Sequence, residues 1–236
     1  MEKKVILLTG ASGGLGKQLT KWFLEKDYNL ILQYHSEAVE LDSENVLCVQ
    51  CDLSDATQCG NLIHLGIQKF GKIDVLINNA GISKSAISWK MDLATWRETM
   101  AINLDAPFLL SQGVIPGMRQ ANYGKIINIS SVVAQTGAIG TAAYTASKAG
   151  LIGLTKTLAK ELATNNITVN ALALGYFDTG MIRDVPESRR EEIIETIPMR
   201  KLGDPKTVFA AIEWILADES NYITGQVIHL NGGIYV

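Results

Sequence analysis

Cysteine is scarce in this chain. There are three, Cys48, Cys51 and Cys59, and an odd count argues against a disulfide framework. Cys48 and Cys51 have C-x-x-C spacing, but a redox pair of that kind needs its first thiol at a helix N-terminus, where the dipole lowers its pKa. Here the pair sits in Val46-Leu47-Cys48-Val49, an apolar run of strand character, so the thiols read as small buried hydrophobes. An excess of either charge is also lacking. Against 24 acidic residues stand 21 Lys and Arg, a net charge of −3, which excludes the basic footprint that nucleic-acid binding needs, and no block of like charge marks an interaction tail. No stretch approaches the roughly 18 apolar residues of a membrane span. The apolar run at residues 5–8, behind Lys3 and Lys4, is too short for a signal-peptide core. The expectation is a cytoplasmic protein with no membrane or nucleic-acid partner and no metal.

What is present is a rhythm. Apolar runs of strand length fall at residues 5–8, 29–33, 46–50, 73–77, 125–129, 167–173 and 226–230. Runs that are apolar on both faces suit a parallel sheet covered on each side. Between them, residues 14–26, 55–69, 93–121, 144–165 and 205–217 repeat their apolar positions every three or four residues, as amphipathic helices do. Strand alternating with helix predicts an α/β Rossmann-type, doubly wound sheet of about seven parallel strands with helices on both faces, and 236 residues suit one domain spanning 1–236. Two segments break the rhythm. Residues 36–45 are too short and acidic for a crossover helix and read as a loop or single turn. Residues 177–203, charged and broken by Pro186 and Pro198, follow a strand end, where ligands of open α/β sheets bind, and read as a substrate lid.

Thr9-Gly10-Ala11-Ser12-Gly13-Gly14-Leu15-Gly16 joins the first strand to the first helix. Glycines there permit a tight turn and close approach of backbone to a pyrophosphate, and the helix N-terminus offers free N–H groups to the anion. A glycine-rich loop alone is a weak signal; one placed between strand and helix is much stronger. No Lys-Ser/Thr follows Gly16, so the Walker pattern and nucleotide hydrolysis are disfavoured. Farther on, Tyr144 and Lys148 stand one helical turn apart on one face. A neighbouring ammonium stabilises phenolate and draws the phenol's pKa down from about 10, which suits Tyr144 to proton transfer near neutrality. Ser131, at the end of the fifth strand, can bond the reacting oxygen and stabilise its developing charge. Singly, each has a plainer reading: a surface Tyr–Lys pair, a turn serine, a buried packing residue for Asn103. Together, in order beside a phosphate loop, they read as catalytic machinery.

These motifs, with Asn78-Asn79-Ala80-Gly81, Asn103, Ser131 and Tyr144-x-x-x-Lys148, resemble the short-chain dehydrogenase/reductase family over nearly the whole chain. The resemblance extends to its 3-oxoacyl-[acyl-carrier-protein] reductase-like members through Ile102-Asn103-Leu104-Asp105, Ser131-Val132-Val133 and Ile223-Thr224-Gly225-Gln226. It implies an NAD(P)H-dependent oxidoreductase that reduces a ketone or 3-oxoacyl thioester, or runs the reverse, with fatty acid biosynthesis as one setting and a homotetramer as the assembly. The alternative is a non-catalytic dinucleotide-binding sensor or scaffold of the same fold. The family implies that Lys148 also holds the nicotinamide ribose and that Asn103 anchors a water relay behind it. Cofactor contacts carried over are Gly10, Ser12, Gly13, Gly14, Leu15 and Gly16, then Asp52 and Leu53 at the adenine, the backbone of Asn79, Ala80 and Gly81, and Gly175, Phe177 and Thr179 at the carboxamide. Leu174 stands where the family usually has proline before Gly175.

NAD-preferring relatives place an acidic residue after the second strand. Here Gln33-Tyr34-His35-Ser36 holds no carboxylate until Glu37, so a 2′-phosphate meets no repulsion and NADP(H) is favoured over NAD(H), with Tyr34, His35 and Ser36 as its neighbours. The basic partner that relatives carry in the phosphate loop is replaced by Gly13. An acyl carrier protein needs basic docking residues; at the positions where the family's arginines lie, this chain has Asn122 and Asn165, which weakens that partner, with Arg119, Lys125 and Lys160 as substitutes close in sequence. Small and apolar residues on the helices at 93–121 and 144–165, including Ala146, Ala149, Gly150 and Gly153, are the expected contacts between subunits.

Overall fold

A computed structural model describes residues 3–39 and 41–236. Its strands are β1 (Val5–Leu8), β2 (Asn29–Tyr34), β3 (Val46–Gln50), β4 (Val75–Asn78), β5 (Gly124–Ser131), β6 (Ile167–Leu174) and β7 (Val227–Leu230). They form one sheet in the order β3-β2-β1-β4-β5-β6-β7, and every pairing is parallel. The fold is the expected doubly wound α/β sheet. Chain direction across the sheet reverses between β1 and β4, and the crevice beyond their carboxyl ends is where such sheets bind ligands.

Alternation along each strand divides the core in two. Val5 and Leu7 of β1 pack with Ile31, Leu62, Leu110 and Leu158 on one face. Ile6 and Leu8 pack with Leu19, Phe23, Leu32 and Ile212 on the other. Helices α2 (Ala56–Phe70), α4 (Ala106–Ala121) and α6 (Ala142–Leu162) cover the first face, with the single turn α5 (Val133–Thr136) between β5 and α6, and α1 (Gly14–Leu24) and α8 (Pro205–Leu216) cover the second. Local chemistry sets the helix ends. The Asp55 carboxylate accepts from the Thr57 and Gln58 amides at the start of α2, and Gly71, at φ 77°, closes it. Asp204 caps α8 one residue before Pro205.

Two expectations, the continuous helix over residues 93–121 and Lys125 as a docking cation, need correcting. Residues 93–121 are not one continuous helix: α3 (Leu93–Met100) gives way to a π turn at Ala101–Asp105 before α4 begins. The cause is tertiary, a clasp between Asn103 and Ile82 described below. Residues 177–203 contain structure of their own, a 3₁₀ turn at Gly180–Asp184 and α7 (Glu187–Thr196). Their base is zipped shut where Asp178 donates to the Gly203 carbonyl and Gly203 to that of Tyr176. Lys125, offered above as a substitute docking cation, is only 1% exposed. Its ammonium donates to the Ile215 and Ala217 carbonyls, both at 2.9 Å, closing the C-terminus of α8, so it faces no partner. Residues 36–39 and 41–45 hold no helix, in line with a loop.

Candidate active site

The β1–α1 loop is held open by backbone contacts that only glycine permits. Gly10 lies at φ +66°, and a Cβ there would meet Ala80 Cα at 2.9 Å; a Cβ on Gly16 would stand 1.9 Å from the Gly10 carbonyl oxygen. Thr9 ties this loop to the end of β4: its hydroxyl accepts from the Asn79 and Ala80 amides at 2.9 and 3.0 Å. The Asn79 side chain returns a bond to the Thr9 carbonyl at 2.8 Å. The two strand ends that flank the chain reversal are therefore locked together, and the crevice between them opens into a cleft of about 800 Å³.

One wall of that cleft is Gly10, Ser12, Gly13, Gly14, Leu15 and Gly16; Asn79, Ala80 and Gly81 adjoin it. Asp52 and Leu53 line one end, with His35. The Asp52 carboxylate accepts from the Ser54 amide and hydroxyl at 2.8 and 2.7 Å, and these bonds hold its pKa below the ordinary value, aided by His35. Tyr34 and Ser36 are not among the walls. Gln33 takes the inward position at the end of β2, and the alternation of a strand turns its neighbour Tyr34 away. Gln33 went unread in the sequence. Its side chain is 2% exposed, accepts from the Gly10 amide at 2.8 Å and donates to the Cys51 carbonyl at 2.7 Å, joining the glycine loop to the end of β3. A polar residue inside the apolar run Asn29-Leu30-Ile31-Leu32-Gln33 was the available signal.

At the other end of the cleft stand Ser131, Tyr144, Lys148, Gly175, Phe177 and Thr179. Ser131 is the last residue of β5, and Tyr144 and Lys148 lie in the first two turns of α6. Ser130 pins that helix by donating to the Lys148 carbonyl at 3.0 Å. The Lys148 ammonium is buried, donates to the Ile129 carbonyl at 2.7 Å and stands 5.8 Å from the centroid of the Tyr144 ring. Burial lowers its pKa to about 8. The expected acidification of Tyr144 by this amine is not found. Burial raises the phenol's pKa, with Ser131 opposing and Tyr176 adding to the rise. Desolvation outweighs the ammonium at this separation.

Asn103 does not line the cleft; it supports it from behind. Wholly buried in the π turn, it accepts from the Ile82 amide and donates to the Ile82 carbonyl, both at 2.9 Å, and donates to the Ser147 hydroxyl at 3.1 Å. Ser147 in turn donates to the Tyr144 carbonyl at 2.7 Å. The clasp fixes the loop after β4 against α6. Asn103 Oδ1 and Lys148 Nζ each lie 3.3 Å from where a Cβ on Gly81 would sit, so a side chain there would crowd both. Ile182 and Ile193 of the segment read as a lid give the substrate end apolar walls; Val132, Val133 and Ala138 beside them were missed, as was Glu98, paired with Lys84 at 2.5 Å.

Cys48 and Cys51 are not bonded to each other, and the neighbour of Cys51 is Cys59 of α2 rather than Cys48. Among the described residues no helix is long and apolar enough to cross a membrane, and no group of three or more His, Cys, Asp or Glu could hold a metal.

Comparison with known proteins agrees with this architecture. The family model for short chain dehydrogenases matches residues 4–190. The chain is 38% identical to the 3-oxoacyl-[acyl-carrier-protein] reductase FabG of Thermotoga maritima, with 100% of this chain and 99% of the relative covered. It is 40% identical to the protein of that name from Rickettsia felis, covering 98% and 96%, and 37% identical to nodulation protein G of Azospirillum brasilense, covering 99% of both. With its parallel sheet, glycine-lined crevice and Ser–Tyr–Lys cluster, this chain belongs to the short-chain dehydrogenase family of oxidoreductases.

Proposed function

We propose that the protein reduces a ketone or 3-oxoacyl thioester to the hydroxy compound, using NADP(H) in preference to NAD(H). The observation that carries this reading is the convergence of Ser131, Tyr144 and Lys148 in the same cleft as the glycine loop. The residues present fit a dinucleotide: the close approaches at Gly10 and Gly16 leave no room for a Cβ and keep the glycine loop tight against itself and the end of β4, and the cleft volume suits a cofactor with a small substrate. When bound, the reduced nicotinamide supplies hydride to the carbonyl carbon. The protein's residues do the rest. Ser131 donates to the carbonyl oxygen and stabilises the charge that develops there. Tyr144 delivers the proton; a phenol whose pKa is raised holds that proton at neutral pH and is ready to act as an acid. Lys148 brings its ammonium behind the phenol, where it offsets negative charge as the proton leaves. A water relay behind Lys148 would rest on the lone pair remaining on Asn103 Oδ1, because its amide nitrogen is taken up by Ile82 and Ser147.

The cofactor preference rests on the end of β2. Gln33 and His35 reach the cleft there, and neither is acidic. Glu37, the first carboxylate after β2, is drawn off by Lys17 at 2.5 Å, so it is not free to repel a 2′-phosphate, and Asp52 serves the adenine through the oxygen that Ser54 leaves open. Thioesters are favoured as substrates by the names of the relatives and by the apolar walls. A protein-borne thioester is less favoured than a free one, since Lys125 is spent inside the fold and Asn122 and Asn165 carry no charge. The chain acts as one catalytic domain in the cytoplasm, with residues 177–203 as its lid. The test follows loss of the reduced cofactor's absorbance with acetoacetyl-CoA, under NADPH and NADH in parallel. Turnover with NADPH should be the faster. Tyr144→Phe should lower kcat by about 10²–10⁴ while NADPH still binds; a fully active variant would remove Tyr144 from the mechanism, and an inert wild type would favour a non-catalytic binder.

A further inference from the structure

Where the lid leaves β6 it comes down onto the first turn of α1. The contact is intimate: a Cβ on Gly14 would stand 2.2 Å from Gly180 Cα and 3.2 Å from the Thr179 hydroxyl oxygen. Gly180 turns there at φ +64°, a conformation that favours glycine. One turn further along α1, the half-buried Gln18 donates from Nε2 to the Thr179 hydroxyl at 2.7 Å. The Thr179 amide donates to the Phe177 carbonyl, also at 2.7 Å, so backbone and side chain are both fixed.

We propose that Gln18 is a positioning residue, which aims the Thr179 hydroxyl into the cleft as a hydrogen-bond donor toward the carbonyl of the nicotinamide carboxamide. This rests on the dinucleotide reading above. A threonine hydroxyl has one hydrogen and two lone pairs and can turn to suit either kind of partner. Gln18 occupies a lone pair and, being an N–H donor, cannot accept the hydroxyl's hydrogen through that atom. The hydrogen is left to point away from α1, and Thr179 is a wall of the cleft. The Gly14–Gly180 contact sets the distance: with a side chain at Gly14, the lid would ride too high for Gln18 to reach. Specificity for an amide-bearing ring is thereby set in part from α1.

The experiment measures dissociation constants of the full chain for NADPH and for 2′-phospho-ADP-ribose, which keeps the adenosine and pyrophosphate but lacks nicotinamide. Gln18→Leu keeps the bulk and helix propensity and should weaken NADPH about five- to tenfold, the worth of one oriented hydrogen bond, while changing the nicotinamide-free probe less than about twofold. Gln18→Glu should cost at least as much, since a carboxylate accepts the hydroxyl's hydrogen and turns it away from the cleft; a role in packing alone would leave this variant like the wild type. Thr179→Val should show the same selective loss, and the double variant Gln18→Leu with Thr179→Val should lose no more than either single change, as coupled partners do. Equal weakening of both probes, or no weakening of NADPH, would overturn the assignment. Should the wild type bind neither probe, the dinucleotide reading falls and this inference with it.

Discussion

Lys148 carries its ammonium into a buried position with the Ile129 carbonyl as its acceptor and, among the described residues, no carboxylate to answer it. Its pKa falls to about 8, from an ordinary value of 10.5. Between those values the folded chain binds fewer protons at this site than the unfolded chain does. Folding stability from this group therefore rises as pH climbs through the window, and the full penalty is present below about pH 8. Catalysis runs the other way, because the ammonium is the form that offsets charge behind Tyr144. We expect kcat/KM for reduction to fall as pH rises through about 8, a limb assigned to the free enzyme. Lys148→Met should lower kcat by about 10² or more and flatten that limb; a limb that persisted unchanged in the variant would belong to another group. The spacing Tyr144-x-x-x-Lys148 was legible in the sequence, since helix geometry alone places the two on one face. The direction in which Tyr144 shifts was not, because it depends on how deeply α6 sinks against β5, and no local spacing encodes that.

At the scale of elements, the strands were legible because parallel strands covered on both faces are rich in apolar residues, as all four residues of β1 and the first three of β4 are. The π turn at Ala101–Asp105 was invisible for the opposite reason. Apolar periodicity runs through residues 93–121 with little sign of a break, and the register changes only because Asn103 is called to Ile82, 21 residues earlier in the chain. Single-turn π bulges inside helices are often found at functional sites, and this one carries the loop after β4 to the cleft wall. Asn103→Leu keeps the volume but leaves the Ile82 amide and carbonyl without their partner. We expect a loss of about 2–3 kcal/mol in unfolding free energy, read from urea denaturation. The loop would also shift, and a displacement near the reacting groups costs about 10² in kcat. Retention of wild-type stability would show that the clasp is dispensable. Gln33 belongs to the same class: a side chain whose task is to join elements, which its own stretch of sequence flags only as a polar residue out of place.

For the molecule as a whole, the apolar surface is unevenly spread. Leu93 at the start of α3 and Phe108 in α4 are 58% and 45% exposed, while Ala149 and Gly153 leave α6 open to solvent and nothing among the described residues stands within 4 Å of where a Cβ on Gly153 would be. Gly150, expected to face another subunit, instead receives Leu104 of its own chain: a Cβ there would meet that side chain at 2.8 Å. The small-residue stripe thus divides, one part seating the π turn and the other lying free. Exposed apolar side chains of this kind can serve an association surface, and we propose that α4 and α6 meet their counterparts in a homotetramer. Closure of that surface would brace α6, the helix that bears Tyr144 and Lys148. Light scattering should then give a mass near four times 25.6 kDa. Phe108→Glu places a charge in an apolar contact that offers it no partner, a cost of several kcal/mol, and should shift the protein to smaller species with lower turnover per chain. A wild type that runs as a monomer, or a variant that keeps the full mass, would move the contact away from this face and leave α6 braced by its own sheet alone.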